Sequence, residues 1–278
     1  MFDDSEYYPN EIVIWTRIHP TIEKSCAEIF VHKIKKLTNK IKYIDITESC
    51  LDDLGCFDLY FNNNANIECL ICVNMRLQNI DLLPKNLIKL NCSKNKFAQL
   101  NNLPINLLIL NCSSNLLDNL SNLPLGIKIL ICSYNLLTEL DLLPDSLEKI
   151  DCSNNKLTRL DNLPIGLIEL TCCANNIDNL SCLPRSLRIL GCQYNKLKIL
   201  PNLPIRLIEL YCSSNQFEQI SNLPDELKIL NCSSNNIVEL GLLPKGLVSL
   251  NYSFNKINEL TMVLPKGLKN IRGEYQKK

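Results

Sequence analysis

The stretch LLILNCSSNLL, residues 107–117, decides how this chain folds, because its pattern returns every twenty residues. The same order of apolar residues, cysteine and asparagine starts again at Leu87, Ile127, Leu147, Leu167, Leu187, Leu207, Leu227 and Leu247, and in weaker form at Ile67 and Ile41. Proline marks the other half of each unit: Pro84, Pro104, Pro124, Pro144, Pro164, Pro184, Pro204, Pro224 and Pro244 are each twenty apart, and Pro265 follows after one inserted residue. A fixed period of this length signals stacked units, none of which can bury its apolar face alone. The chain is expected to form a solenoid.

Alternation around Leu110 has the period of a strand: Leu110 and Cys112 turn inward, so Ile109, Asn111 and Ser113 turn out. The half from Leu117 to Ile127 must return while placing Leu120 and Leu123 inward. Pro124 has no N–H and pushes Leu123 towards extended conformations, so an α-helix is disfavoured and polyproline-like or 3₁₀ backbone is expected.

Composition excludes several classes of partner. With 29 basic and 29 acidic residues, the chain lacks the electrostatic footprint that phosphate backbones require, and no nucleic-acid partner is expected. Its start, MFDDSEYYPN, is acidic and lacks the basic-then-apolar order of a signal peptide. No uncharged apolar run approaches the ~20 residues of a membrane span. The expectation is a cytoplasmic protein in a reducing compartment, with no membrane partner.

Residues 107–117 match the LxxLxLxxN/CxL signature of the leucine-rich repeat family, with Cys112 where the third leucine would stand. The chain resembles that family over most of its length. The resemblance implies an α/β solenoid of mostly short parallel β-strands, right-handed and gently curved, with strands around Leu90, Leu110 and Leu130 lining a concave side and extended or 3₁₀ backbone on the convex side. About eleven coils would fill residues 41–278, the first two degenerate. The twenty-residue period with its L-P-x-x-L segment is similar to the repeats of bacterial type III secreted effectors and of leucine-rich proteins encoded by giant DNA viruses. The effectors carry a helical amino-terminal cap, and residues 1–40 fit one. Ile22, Cys26, Ile29, Phe30, Ile34 and Leu37 fall at helical spacing after Pro20, with Lys33, Lys35 and Lys36 late, where cations suit a helix end. Glu11–Ile18 reads as a possible extra strand. At the other end Tyr252 replaces cysteine, and Lys269, Arg272, Glu274, Lys277 and Lys278 read as a solvated end that discourages edge pairing.

Two columns are structural. Asn95, Asn115, Asn135, Asn155, Asn175, Asn195, Asn215, Asn235 and Asn255 stand at the turn after each strand, where the family's asparagines bond to backbone groups of adjacent coils. Cys72, Cys92, Cys112, Cys132, Cys152, Cys172, Cys192, Cys212 and Cys232 form the inward column, and a buried thiol acts as a small apolar side chain. In-register strands lie ~4.8 Å apart, too far for disulfide Cβ atoms at ~3.8 Å, so these thiols are expected to stay reduced. Cys69 and Cys72 form a CxxC, but they face opposite ways and no second pair completes a metal site. No metal or cofactor is expected.

Catalytic constellations fail. His19 and His32 both lie in the cap, and Cys56-Phe57-Asp58, which spells the Cys-x-Asp of effector ubiquitin ligases, precedes the array without a helical domain around it. The expected function is therefore a non-catalytic protein-interaction module that binds a protein or peptide on the concave sheet. Hot spots favour aromatic side chains near the centre of a patch, and the outward columns gather Ile131, Tyr134, Asp151, Glu169, Ile189, Tyr194 and Tyr211 there. The alternative is an adaptor that recruits substrates to a host ubiquitin ligase, or an effector-like protein, acting through residues 1–40, although no F-box sequence is recognisable in them.

Overall fold

The computed structural model describes residues 14–15, 42–47, 66–80, 83–257 and 264–273. They fall in two compact units, Met1–Leu117 with Asn122–Ile127 and Asp118–Ser121 with Lys128–Lys278. In the first unit β1 (Ile14–Trp15), β2 (Tyr43–Asp45), β3 (Cys69–Ile71), β4 (Lys89–Asn91) and β5 (Ile109–Asn111) pair in that order, all parallel. In the second the parallel order is β6 (Ile129–Ile131), β7 (Lys149–Asp151), β8 (Glu169–Thr171), β9 (Ile189–Gly191), β10 (Glu209–Tyr211), β12 (Ile229–Asn231), β14 (Ser249–Asn251) and β15 (Asn270–Arg272). β11 (Gln219–Ile220) and β13 (Glu239–Leu240) make a separate two-stranded pair. This is a parallel-strand solenoid, one short strand per coil.

Register follows the repeat. Leu170 lies opposite Leu190, and Leu190 opposite Leu210, whereas Leu250 meets Ile271, which absorbs the residue inserted before Pro265. The middle residue of nearly every strand is buried and its flanks are half-buried, as alternation dictates. Of the degenerate coil expected from Ile41, Ile44 and Ile46 are buried on and beside β2. β1 falls inside Glu11–Ile18 and pairs with Ile44–Asp45, so the extra strand exists. The expected helix over residues 21–40 lies outside the described residues, as do Cys56-Phe57-Asp58 and both histidines. Among the described residues there is no helix, hence none long and apolar enough to cross a membrane.

Leu120 and Leu123 are buried as expected, but the other coils build the return half differently. In the coils from Pro84 to Pro244 it is the proline that is buried, and the leucine before it is mostly half-buried, as at Leu103–Pro104 and Leu163–Pro164. A single turn closes on it. The Leu107 N–H donates to the Pro104 carbonyl at 3.1 Å, and the same bond recurs from Leu147 to Pro144, Leu167 to Pro164 and Leu227 to Pro224. A proline whose N–H is absent anyway can be buried without leaving a donor unpaired, while its carbonyl starts the turn that re-aims the chain into the next strand.

Buried amides hold the coils together. Asn155 donates through Nδ2 to the carbonyls of Cys132 at 3.1 Å and Cys152 at 3.0 Å, while its Oδ1 accepts the Leu137 N–H at 3.0 Å. Asn95, Asn175, Asn195, Asn215 and Asn255 repeat this arrangement on their own neighbours. Each buried amide satisfies backbone groups that the turn would otherwise leave unpaired.

Beside them runs the thiol column, fully buried from Cys72 to Cys232. Burial pushes the Cys112 and Cys232 thiols up to about 12, and Cys92, Cys172 and Cys212 well above their ordinary value, with neighbouring thiols adding to the effect. Tyr252 ends the column differently. It is buried, and a Cβ built on Gly273, the next residue in the column, would overlap its ring. One large side chain thus fills two positions of the stack.

Candidate functional site

All seven sequence-predicted contact residues belong to the second unit and share one side of its sheet. Ile131, Asp151, Thr171, Gly191 and Tyr211 are successive register partners on β6 to β10, and Lys149, Glu169, Ile189 and Glu209 form the row beside them. Four strand steps separate Ile131 from Tyr211, about 19 Å at the usual spacing. These strand-end residues are half-buried, except Gly191, which is buried.

Charges on this face are paired locally. Lys149 Nζ lies 3.6 Å from Glu169 Oε2, and the Tyr211 hydroxyl donates to Glu209 Oε2 at 2.8 Å. Burial, then the Glu209 carboxylate that accepts this hydrogen bond, pushes the phenol up to about 12, so Tyr211 stays a donor throughout the ordinary pH range. Between Thr171 and Tyr211, Gly191 is covered by its neighbours: a Cβ there would come within 3.2 Å of Gln193 Oε1 and 3.3 Å of Thr171 Cγ2. The Cys173 thiol beside it donates to Gln193 Oε1 at 2.7 Å.

Tyr134 and Tyr194 stand in a third row with a backbone property that alternation does not reveal. In nearly every coil this position has positive φ, at 56° for Tyr134, Tyr194 and Phe254. The left-handed turn lets the Tyr134 and Tyr194 N–H groups donate to the Ser153 and Ser213 carbonyls of the next coil. Asparagine suits such a position and an aromatic residue does not, yet these three rings are 61%, 66% and 71% exposed. Phe254 completes a line of aromatics at every third coil, and the sequence reading left it out of the site although the sixty-residue spacing was visible.

The serine row lies deeper than alternation suggests. Ser93, Ser133, Ser153 and Ser233 are buried, and at most positions of this row an Asn or Asp two residues earlier bonds to the serine. Asn91, Asn111, Asn231 and Asn251 each accept both the N–H and the hydroxyl of that serine, at 2.8 Å for the hydroxyls. Asp151 accepts the Ser153 N–H in the same way at 3.0 Å. The Asn-x-Ser spacing carried this signal, since such side chains form turns with their own backbone.

Cys69 is half-buried on β3 and Cys72 is buried beside it. No group of three or more His, Cys, Asp or Glu able to hold a metal occurs among the described residues.

The coil geometry and the strand face define the class: this chain is a leucine-rich repeat protein of the twenty-residue kind. Solved structures similar to it include YopM from Yersinia enterocolitica, at 31% identity over 76% of this chain and 51% of that one, with a TM-score of 0.63. The functional domain of InlJ from Listeria monocytogenes, which includes a cysteine ladder, is 28% identical over 84% of this chain and 53% of that one, with a TM-score of 0.71. YopM from Yersinia pestis, a leucine-rich effector protein, is 28% identical over 84% of this chain and 77% of that one, with a TM-score of 0.59. The chain thus spans about half the length of the first two. No family model matches the sequence, and no curated protein matches it.

Proposed function

We propose that this protein is a non-catalytic interaction module that takes a protein or peptide on the strand face of β6 to β10. The observation that carries this reading is the exposure of Tyr134 and Tyr194 on left-handed backbone. Residues that cost stability where they stand, and that present large rings to solvent, fit a recognition role better than a packing role. Ile131, Asp151, Glu169, Ile189 and Tyr211 supply the apolar and acidic contacts between and beside those rings. The fold is one that known leucine-rich repeat proteins use for interaction, and the effector-like relatives point the same way. Absence of catalysis is part of the reading: the column thiols are buried with raised pKa values, which suppresses the thiolate needed for nucleophilic chemistry. Side-by-side free thiols suit a reducing, cytoplasmic setting.

Affinity capture from cell lysate tests the proposal, comparing the intact chain with the Ile131→Asp, Tyr211→Asp double variant, both checked for the same circular dichroism. A partner recovered only with the intact chain supports the strand face. Equal recovery by both overturns it and moves recognition elsewhere on the chain.

A further inference from the structure

The carboxy-terminal end of the same face has a different chemistry from its centre, and the hydrogen bonds fix it. A backbone N–H can only donate, so the atom of Asn231 that meets the Ser233 N–H and the atom of Asn251 that meets the Ser253 N–H must each be the amide oxygen. The serine hydroxyls occupy the same oxygens at 2.8 Å. Both Nδ2 groups are thereby left on the outer side, and neither donates to another described residue. Asn251 lies in register with Asn231 on one side and Arg272 on the other, so two amide donors and a guanidinium stand in a row at spacings of about 4.8 Å.

These groups line an open groove of about 620 Å³ with Tyr211, Ser249 and Lys269. No carboxylate lines it, and neither Lys269 nor Arg272 forms an ion pair among the described residues. The nearest acid in the rows, Glu209, already accepts the Tyr211 hydroxyl at the groove's edge. At the centre of the same column Asp151 keeps the turn to Ser153 but turns a carboxylate oxygen outward instead of an amide. The face therefore changes from acceptor to donor along one column, and half-buried Ile229 adds an apolar patch to the donor end.

We infer that the groove from Tyr211 to Arg272 recognises an acidic, extended peptide segment of the partner, its carboxylates on Asn231, Asn251, Lys269 and Arg272 and an adjoining apolar side chain on Ile229. This deepens the interaction reading above and rests on it. A peptide fits better than a nucleic acid: two cations match a short acidic segment confined to the groove, whereas a polyanion would run on against Asp151, Glu169 and Glu209. Planar amide and guanidinium donors suit carboxylates, which accept through two oxygens.

The test is fluorescence anisotropy with the full chain and a labelled peptide repeating Glu-Leu-Glu-Ser, its Gln-Leu-Gln-Ser counterpart, and a labelled oligothymidine. Saturable binding of the glutamate peptide, at least tenfold tighter than the glutamine peptide and the oligonucleotide and weakening with added salt, is expected. Lys269→Gln with Arg272→Gln should weaken it at least tenfold, and so should Asn251→Asp, which keeps an oxygen for Ser253 but inverts the outward group. No saturable binding of the glutamate peptide, equal binding of the glutamine peptide, preference for the oligonucleotide, or indifference to both variants overturns the inference. The two readings separate cleanly. A captured partner lost with Ile131→Asp but kept by Asn251→Asp and by the Lys269, Arg272 variant leaves the strand face standing and removes this groove, whereas a partner indifferent to all of them removes both.

Discussion

Alkali should unfold this protein far more steeply than an ordinary domain, because its core is lined with acids held neutral. Cys72, Cys92, Cys112, Cys152, Cys172, Cys192, Cys212 and Cys232 all have pKa values raised above 9.0, each chiefly by burial. In the unfolded chain the same thiols ionise near their ordinary value. Their folded values are raised, so the stability they contribute is fully present below about pH 9 and is lost as pH rises towards 12 and beyond. Above pH 9 each thiol costs about 1.4 kcal/mol per pH unit, and the eight together cost on the order of 10 kcal/mol by pH 10, as much as a typical domain's whole stability. If the two units unfold separately, the second carries five of these thiols and loses correspondingly more. Urea unfolding followed by far-ultraviolet circular dichroism between pH 7 and 10 in reducing buffer reads the slope, and thiolate absorbance reads the ionisation. The two should move together, and Cys172→Ala with Cys212→Ala should flatten the slope by about a quarter. Thiolate absorbance that appears near pH 9 while the circular dichroism stays folded would refute the reasoning.

Two other perturbations follow from single residues. Asn155→Ala leaves the Leu137 N–H and the Cys132 carbonyl without their side-chain partner and should cost about 2–4 kcal/mol, read as a lower urea midpoint; an unchanged midpoint contradicts the assignment. Tyr194→Asn relieves an aromatic residue at φ 56° and should raise stability by up to about 1 kcal/mol while weakening capture of the partner, so a loss of stability would show that the ring packs rather than presents.

The strand half of each coil was legible because one rule governs it: alternation around Leu110 or Leu170 gives burial directly, and the twenty-residue spacing gives register. The asparagine column was legible only through the family resemblance, since nothing in the spacing says which backbone groups an amide will reach. The return half was less so. Pro104 carries no donor to lose, so it is buried while Leu103 before it is half-buried, and hydrophobicity alone ranks the two the other way. The left-handed position of Tyr134 and Tyr194 was invisible because their side chains contradict it, although Asn74 and Asn154 in the same column, both with positive φ, carried the hint. The donor groove was missed for a third reason. Read as a sequence, Arg272 belongs to a charged end, and only the register with Asn231 and Asn251 shows that it extends a row.

Peptide-mapped alkylation of the native protein tests the central claim most directly, because inward and outward positions of the coil must differ residue by residue. Brief treatment with iodoacetamide under reducing conditions should label exposed Cys182 and leave Cys72, Cys92, Cys112, Cys132, Cys152, Cys172, Cys192, Cys212 and Cys232 untouched until denaturant is added. Native labelling of that column at the rate of Cys182, or protection that survives denaturation until a chelator is supplied, would contradict the stacked interior on which the recognition face is built.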